Sequence, residues 1–409
     1  MLGYKKAILI IKKSKIKINS EIILSINSVN RVCASDVYSP YNYPAANNTS
    51  FDGYAVSSKD TKNLTKKKFK KFKILKTLAA GDNPKIQKIP KYSTIEVMTG
   101  AIIQKPFDAV IPVEKTRLFT KKKKYNYIIV DQKINKNDNI RFEGSDFKKG
   151  KKVITKGELI KPQHILAFKA LGIKKILVKK IPKIVFFTTG NEISNSKNIP
   201  KWKVRNSNGF YLKSYLKNFP IKFLDNKILR DNEKKKFYNE IIKNLKTDTD
   251  IIITSGAVSK GKFDFVPEII EKFKLSNFFK GALIRPGKPI LFAKFRNKNK
   301  VFFGLPGNPI SSAACFRFFV YPFILTSLGI IPGKSIKAKL KGKFVKKKSF
   351  TRFVKGLLVH NSKGYAEFKV LKGQESFKIL PFTKSNAWGV FGDKKSVFKK
   401  GDLISCFSL

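Results

Sequence analysis

The spacing of apolar positions changes three times along the chain, and each change predicts a different kind of structure. From Ile16 to about Val37, the positions Ile22, Ile23, Ile26, Val29 and Val32 fall on one helical face, which predicts a helix ended by Pro40 and Pro44. From Tyr38 to about Ile140 the pattern shortens to runs such as Ile95 to Met98, Ala109 to Val113 and Tyr127 to Val130. Turns rich in Lys, Gly and Asn separate these runs, which predicts a β-rich region. Between Lys183 and Ser327 strands alternate with helices. Strands are expected over Ile184 to Phe187, Lys222 to Leu224, Ile251 to Ile253, Leu291 to Phe292 and Val301 to Phe303. Helices are expected over Asn208 to Asn218, Glu233 to Leu245 and Ile310 to about Leu328, and the alternation continues through Val266 to Phe273. Such alternation argues for a mostly parallel sheet wrapped by helices, with ligands at the carboxyl ends of its strands. After Gly333 short runs such as Tyr365 to Val370 predict a small β domain. The stretch Ala313 to Ile331 is broken by Arg317 and Pro322 and falls short of the ~20 apolar residues of a membrane span, so it reads as a buried helix.

Composition adds bounds. With 409 residues the chain has room for several cores. Lys and Arg total 86 against 27 acids, a net charge of +59 that would attract polyanions. Only 9 of the 86 are Arg, whereas base readout and bidentate phosphate clamps favour the Arg fork. Lys excess beside abundant Ile and Asn reads as a codon bias on tolerant surface positions, and no specific nucleic acid is expected. The basic runs Lys66 to Lys73 and Lys121 to Lys124 read as solvated hairpin tips or loops. Cys33, Cys315 and Cys406 stand far apart without CxxC spacing, which points away from a zinc site and from a disulfide framework and suits a reducing compartment. The two histidines, His164 and His360, cannot form a His-pair metal site at helical spacing. Near the N-terminus only Ala7 to Ile11 is apolar, shorter than the ~7–15 residue core of a signal peptide, so a cytoplasmic location is expected.

Three predicted strands run into loops of unusual composition: Thr188-Thr189-Gly190-Asn191-Glu192, Thr254-Ser255-Gly256-Ala257-Val258-Ser259-Lys260-Gly261, and Gly304-Leu305-Pro306-Gly307-Asn308-Pro309. All three belong on one sheet edge. Glycines expose backbone N–H groups, hydroxyls add donors, and a helix N-terminus behind each loop adds positive potential, which together make an anion cradle. Pro309 at a first helical turn with Asn308 as N-cap fits such a helix start. The loop Arg285-Pro286-Gly287-Lys288-Pro289 brings two cations, and Glu192, Asp231 and Asp264 follow strands. Carboxylates near phosphate-like donors suggest a nucleotide or pyrophosphate bound through Mg²⁺. In the β-rich region, Asp52-Gly53 alone reads as a hairpin turn and Thr99-Gly100 as a strand end.

The ordered set NTSFDGYAV, AAGDNP, EVMTGAIIQKPFDAVIPVE, IRFEGSDFKKG, TTGNEI, RNSN, TDTDIIITSGAVSKGKFDF, RPGKP and LPGNPISS resembles the molybdopterin molybdenumtransferase family, MoeA in bacteria and the gephyrin E domain in animals. The resemblance spans nearly the full length. It implies a multidomain α/β plus β chain: a MogA-like α/β/α domain from residues 1–19 and 182–333, a small linking and dimerisation domain from 20–37 and 140–181, a β-rich domain from 38–139, and a C-terminal β-barrel-like domain from 334–409. It further implies a homodimer whose active site lies between the α/β domain of one subunit and the β-rich domain of the other. The implied reaction inserts molybdate into adenylylated molybdopterin and hydrolyses the adenylate, with Mg²⁺ or Zn²⁺ assisting.

By that resemblance Asp52, Thr99, Asp146, Glu192, Asp231 and Asp264 take catalytic positions, with Glu192, Asp231 and Asp264 as metal ligands. Thr189, Gly190, Ser255, Gly256, Ser259, Arg285, Lys288, Gly307 and Asn308 bind substrate, and Pro306 and Pro309 shape the last loop. Arg285 and Lys288 suit phosphate or the molybdate dianion. The chain departs from the pattern at Asn191, where an aspartate is usual, at Ser145, where a glutamate is, and at Ala257, where a second glycine is common. Lys280 stands five positions before Arg285 rather than four. Transient contacts with a molybdopterin adenylyltransferase and with apo-molybdoenzymes are also implied. A molybdopterin adenylyltransferase-like enzyme, a non-catalytic scaffold of the same fold and a nucleic-acid binder are the alternatives.

Overall fold

The computed structural model describes residues 1–121, 124–217, 219–256, 268, 271–331 and 333–409. Its central sheet is built from the alternating region. Four parallel strands run in the order Lys222–Leu229, Lys183–Thr189, Ile251–Ser255 and Val301–Leu305, and continue into the antiparallel strands Leu291–Lys294 and Ser276–Lys280. Successive residues of these strands enter opposite cores because side chains alternate across a sheet. Ile184, Phe186, Ile251, Ile253 and Phe303 join one cluster, while Val185, Phe187, Ile252 and Phe302 join the other.

Helix Lys234–Lys246 covers the second face with Phe237 and Ile241, one turn apart. The first face is covered by Asn208–Leu216 and by a long helix that starts at Pro309. That helix passes through a π turn at Phe316–Val320 directly before Tyr321–Leu328, and ends at Gly329 in the left-handed conformation (φ 81°). The π turn re-registers the backbone bonds ahead of Pro322, which has no N–H to give. Pro309–Leu328 is long and apolar enough to cross a membrane, yet 78% of its apolar window is buried inside the molecule, as a core helix.

One expected helix is replaced. Ser20–Leu24 is a strand paired antiparallel with Lys175–Lys179, followed by a 3₁₀ turn at Ser25–Asn27. Its β-branched residues satisfy either period, and the distant partner strand decides between them. Helix Tyr4–Lys13, unanticipated, buries Ala7 and Ile11 in the α/β core. The element expected from Val266 to Phe273 lies largely outside the described residues.

The 20–37 and 140–181 segments meet around Cys33, Ile154, Ile160, Phe168 and Val178. The β-rich region forms a mixed six-stranded sheet in the order Ala109–Pro112, Gly53–Val56, Ser93–Val97, Lys70–Leu78, Lys124–Val130, Arg117–Lys121. At the C-terminus five strands close a barrel: Thr351–His360, Ala366–Val370, Ile336–Leu340, Leu403–Ser408 and Ala387–Phe391, which pairs back to the first. The short strand Ile284–Arg285 adds to this barrel, in register with Thr351 and Arg352.

Candidate active site

The three glycine-bearing loops leave neighbouring parallel strands and meet around a cavity of about 200 Å³ lined by Thr188, Thr189, Gly190, Glu192, Ile193, Asn208, Asp231, Ser255, Gly256 and Gly307. Gly256 has φ +99°, and a Cβ there would lie 2.5 Å from Thr189 Oγ1, so only glycine lets the two loops touch. Thr189 Oγ1 donates to Ser255 O at 3.2 Å, and Ser255 Oγ donates to Pro306 O at 3.2 Å. Asn208 ties the set together, its Nδ2 donating to Ser255 Oγ at 2.6 Å and to Gly307 O at 2.7 Å. Asn206, Asn226 and Thr188 form a further side-chain network behind the loops.

Two carboxylates enter this cavity. Asp231 Oδ2 accepts from Asn191 N at 3.2 Å while Asn191 Oδ1 accepts from Asp231 N at 3.1 Å, a reciprocal lock between two loop ends. Arg230 fastens the same turn by donating to Asn191 O at 3.0 Å and Ile193 O at 2.6 Å. Glu192 folds its carboxylate over Gly190. Ser259, Asp264 and the departure at Ala257 lie outside the described residues. Among the described residues no group of three or more His, Cys, Asp or Glu forms a metal cluster. Glu192 and Asp231, the two carboxylates that line this cavity, are oxygen donors of the kind a hard cation such as Mg²⁺ takes.

Asn308 occupies the N-cap position of the Pro309–Cys315 helix without a side-chain cap; its Nδ2 instead donates to Ser376 Oγ of the barrel at 3.4 Å. A second cavity, of about 340 Å³, lies on the barrel side, lined by Arg285, Phe344, Val345, Lys346, Lys347, Phe350, Arg352 and Gln374. Four cations and no carboxylate line it. Burial, then the charge of neighbouring Arg285, holds the Arg352 guanidinium below its ordinary pKa, and burial lowers the Lys346 ammonium. A nearby carboxylate, Glu375 for Arg352 and Asp393 for Lys346, offsets burial only in part. Lys288 is exposed and lines neither cavity, while its carbonyl accepts from Ala282 N at 3.0 Å. Lys280 is exposed at the end of the edge strand Ser276–Lys280.

Asp52 and Thr99 meet in the β-rich region. Asp52 Oδ1 accepts from Thr99 N at 2.6 Å and Thr99 Oγ1 at 2.7 Å, and these two bonds hold the carboxyl below the usual range. Asp146 and Ser145 line a third cavity, of about 690 Å³, beside Tyr41, Tyr43, Arg141 and Lys169. None of the three cavities is lined by residues of both the β-rich and the α/β sets. The spacing of loops singled out Thr189 to Glu192 and Ser255 to Gly256, but Asn208, Arg230, Arg352, Lys346 and Gln374 carried no local signal beyond the RNSN marker around Asn208.

Residues 2–172 match the family model for the MoeA N-terminal region (domain I and II), and residues 185–326 match the model for a probable molybdopterin binding domain. A molybdopterin molybdenumtransferase of Haemophilus influenzae is 31% identical over 387 residues, spanning 92% of this chain and 91% of that one. The chain belongs to the molybdopterin molybdenumtransferase family. A second relative of that name, from Staphylococcus epidermidis, is 30% identical and spans 98% of this chain and 94% of its own. The molybdopterin biosynthesis moeA protein of Pyrococcus horikoshii shares the whole architecture, with TM-score 0.82 at 24% identity and 100% coverage of both chains. Membership in the molybdenumtransferase family thus extends over the barrel as well as the two matched regions.

Proposed function

We propose that this protein inserts molybdate into adenylylated molybdopterin, with water cleaving the adenylate and AMP and molybdenum cofactor as products. The observation that carries this reading is the presence of two unlike cavities, whose neighbouring loops are joined by the Asn308–Ser376 hydrogen bond. One offers N–H and hydroxyl donors with two carboxylates, and the other offers four cations and no acid. Thr189, Gly190, Ser255, Gly256, Ser259, Gly307 and Asn308 would hold the phosphate and pterin portion of the adenylate. Arg285 and Arg352 would hold the tetrahedral dianion. Glu192, Asp231 and Asp264 would hold Mg²⁺, which when bound would neutralise phosphate charge.

In the homodimer this reading requires, Asp52, Thr99 and Asp146 of one protomer face the α/β cavity of its partner. Asp52, ionised and fixed by Thr99, would orient the attacking water there. The three cysteines are buried and unpaired, which supports a cytoplasmic setting. Purified protein mixed with adenylylated molybdopterin, molybdate and Mg²⁺ is expected to release AMP only when molybdate is present and to reconstitute an apo-molybdoenzyme. AMP release that ignores molybdate, or none at all, overturns the proposal.

A further inference from the structure

The barrel strand Thr351–His360 buries a lysine that no part of the reaction above employs. Val354 points into the barrel core and Gly356 presses on Phe368, so Lys355 between them and Phe353 before them face the other side. Phe353 reaches the α/β core, and Lys355 lies beneath the 371–379 loop with 1% of its surface exposed. Its ammonium donates to the carbonyls of Glu375 at 3.1 Å and Lys378 at 3.0 Å. The Glu375 carboxylate is engaged by Lys378 instead, also at 3.1 Å. A buried cation held by neutral carbonyls is a costly way to fill space that Met would fill without charge.

The rest of that loop leads to the Arg285 and Arg352 cavity and to the Pro306–Pro309 turn. The Gln374 side chain accepts from Lys355 N at 2.9 Å and donates to Lys355 O at 2.8 Å, pairing with the strand as a neighbouring backbone would. The Gln374 carbonyl accepts from Arg352 at 3.1 Å. Two residues on, Ser376 Oγ receives the amide of Asn308. We propose that Lys355 is a positioning residue, pinning the 371–379 loop so that Arg352, Gln374 and Ser376 are held at the oxyanion pocket and at its junction with the Pro306–Pro309 turn. This inference rests on the oxyanion reading of the Arg285 and Arg352 cavity.

The charged groups facing Lys355 are Glu375 and Lys378 on the loop and Arg352 on its own strand. Burial pushes its pKa from 10.5 down to about 8, partly offset by Glu375 and reinforced by Arg352 and Lys378. The pin is therefore about half charged near pH 8, mostly charged a unit below and mostly neutral a unit above. Its effect on global stability has the opposite sign: the unfolded chain binds the proton more tightly, so this group's contribution rises with pH between about 8 and 10.5. A loosening pocket on a molecule that is not losing stability separates the pin from general unfolding.

Molybdate binding by calorimetry and the molybdate dependence of AMP release are measured at about pH 7 and about pH 9 for the full chain, Lys355→Met and Lys355→Arg. Lys355→Met is expected to raise the molybdate Kd and KM on the order of tenfold at the lower pH, the value of one charge-assisted bond, with kcat within about twofold. Its affinity should change less with pH than that of the natural protein. Lys355→Arg, which cannot deprotonate, should keep its affinity at the higher pH. Natural affinity and natural pH dependence in a folded Lys355→Met overturn the inference. If that variant does not fold, equal pH dependence of the natural protein and Lys355→Arg overturns it. Absence of molybdate binding and turnover in the natural protein sinks the oxyanion reading instead, a distinct result.

Discussion

At Gly256 one absent methyl group decides whether the cradle exists. A Cβ would stand 2.5 Å from Thr189 Oγ1 and 2.8 Å from Thr189 O at a φ of +99°, so Gly256→Ala should destabilise the protein by about 1–3 kcal/mol. AMP release should fall on the order of tenfold or more in the same preparation, and denaturant titration beside the activity assay checks both. Asp52 sits in the open, where its role is ionisation rather than stability. Its folded pKa is depressed by the Thr99 bonds, so their contribution is present above the ordinary carboxylate value and lost as pH falls through the lower one. Asp52→Asn, whose amide oxygen can still accept from Thr99, should lower the melting temperature only slightly and reduce turnover by about 10²-fold, the usual size of a lost acid–base or orienting group; full turnover would remove Asp52 from the mechanism. Glu192 and Asp231 were legible because each follows a strand end in an alternating pattern, where geometry converges. Arg352 and Gln374 were not, since their place beside Arg285 depends on a strand pairing formed far along the chain.

Elements whose partners lie nearby in sequence were read well. The strands at Ile251–Ser255 and Val301–Leu305 and the helices Asn208–Leu216 and Lys234–Lys246 carry their own periodicity, and the sheet they build is mostly parallel as the alternation requires. Ser20–Leu24 failed for the converse reason, because Ile22 and Ile23 fit a helix or a strand until Leu177 and Ile176 appear opposite them. Tyr4–Lys13 was missed because its many lysines mask a narrow apolar stripe that includes Ala7 and Ile11. Ile11 is fully buried in the α/β core, so Ile11→Ala should cost about 2–5 kcal/mol by urea unfolding. A loss below about 0.5 kcal/mol, typical of surface sites, would show the helix to be an accessory.

For the molecule as a whole, surface and charge give two further expectations. The Ser20–Leu24 ribbon turns Ile23 into its own core yet leaves Ile22 68% and Leu24 50% exposed on the other face. Sedimentation should show twice the chain mass of 46.5 kDa, and Ile22→Lys should halve it. A natural protein that sediments as a monomer would refute the dimer. The +59 charge should retain DNA without regard to sequence, and that retention should fall by roughly three to five decades between about 50 and 200 mM salt.

Tyr4 packs edge-on against both Phe318 and Phe353, and Ile16 N donates to Ser327 Oγ across 311 residues of sequence. Phe353 and Trp388 complete the same core. On the ribosome, then, the first helix emerges with nothing to dock on, and its landing surface is finished only when the barrel strands arrive. The middle regions, which bury cores of their own, are free to close before that surface is complete.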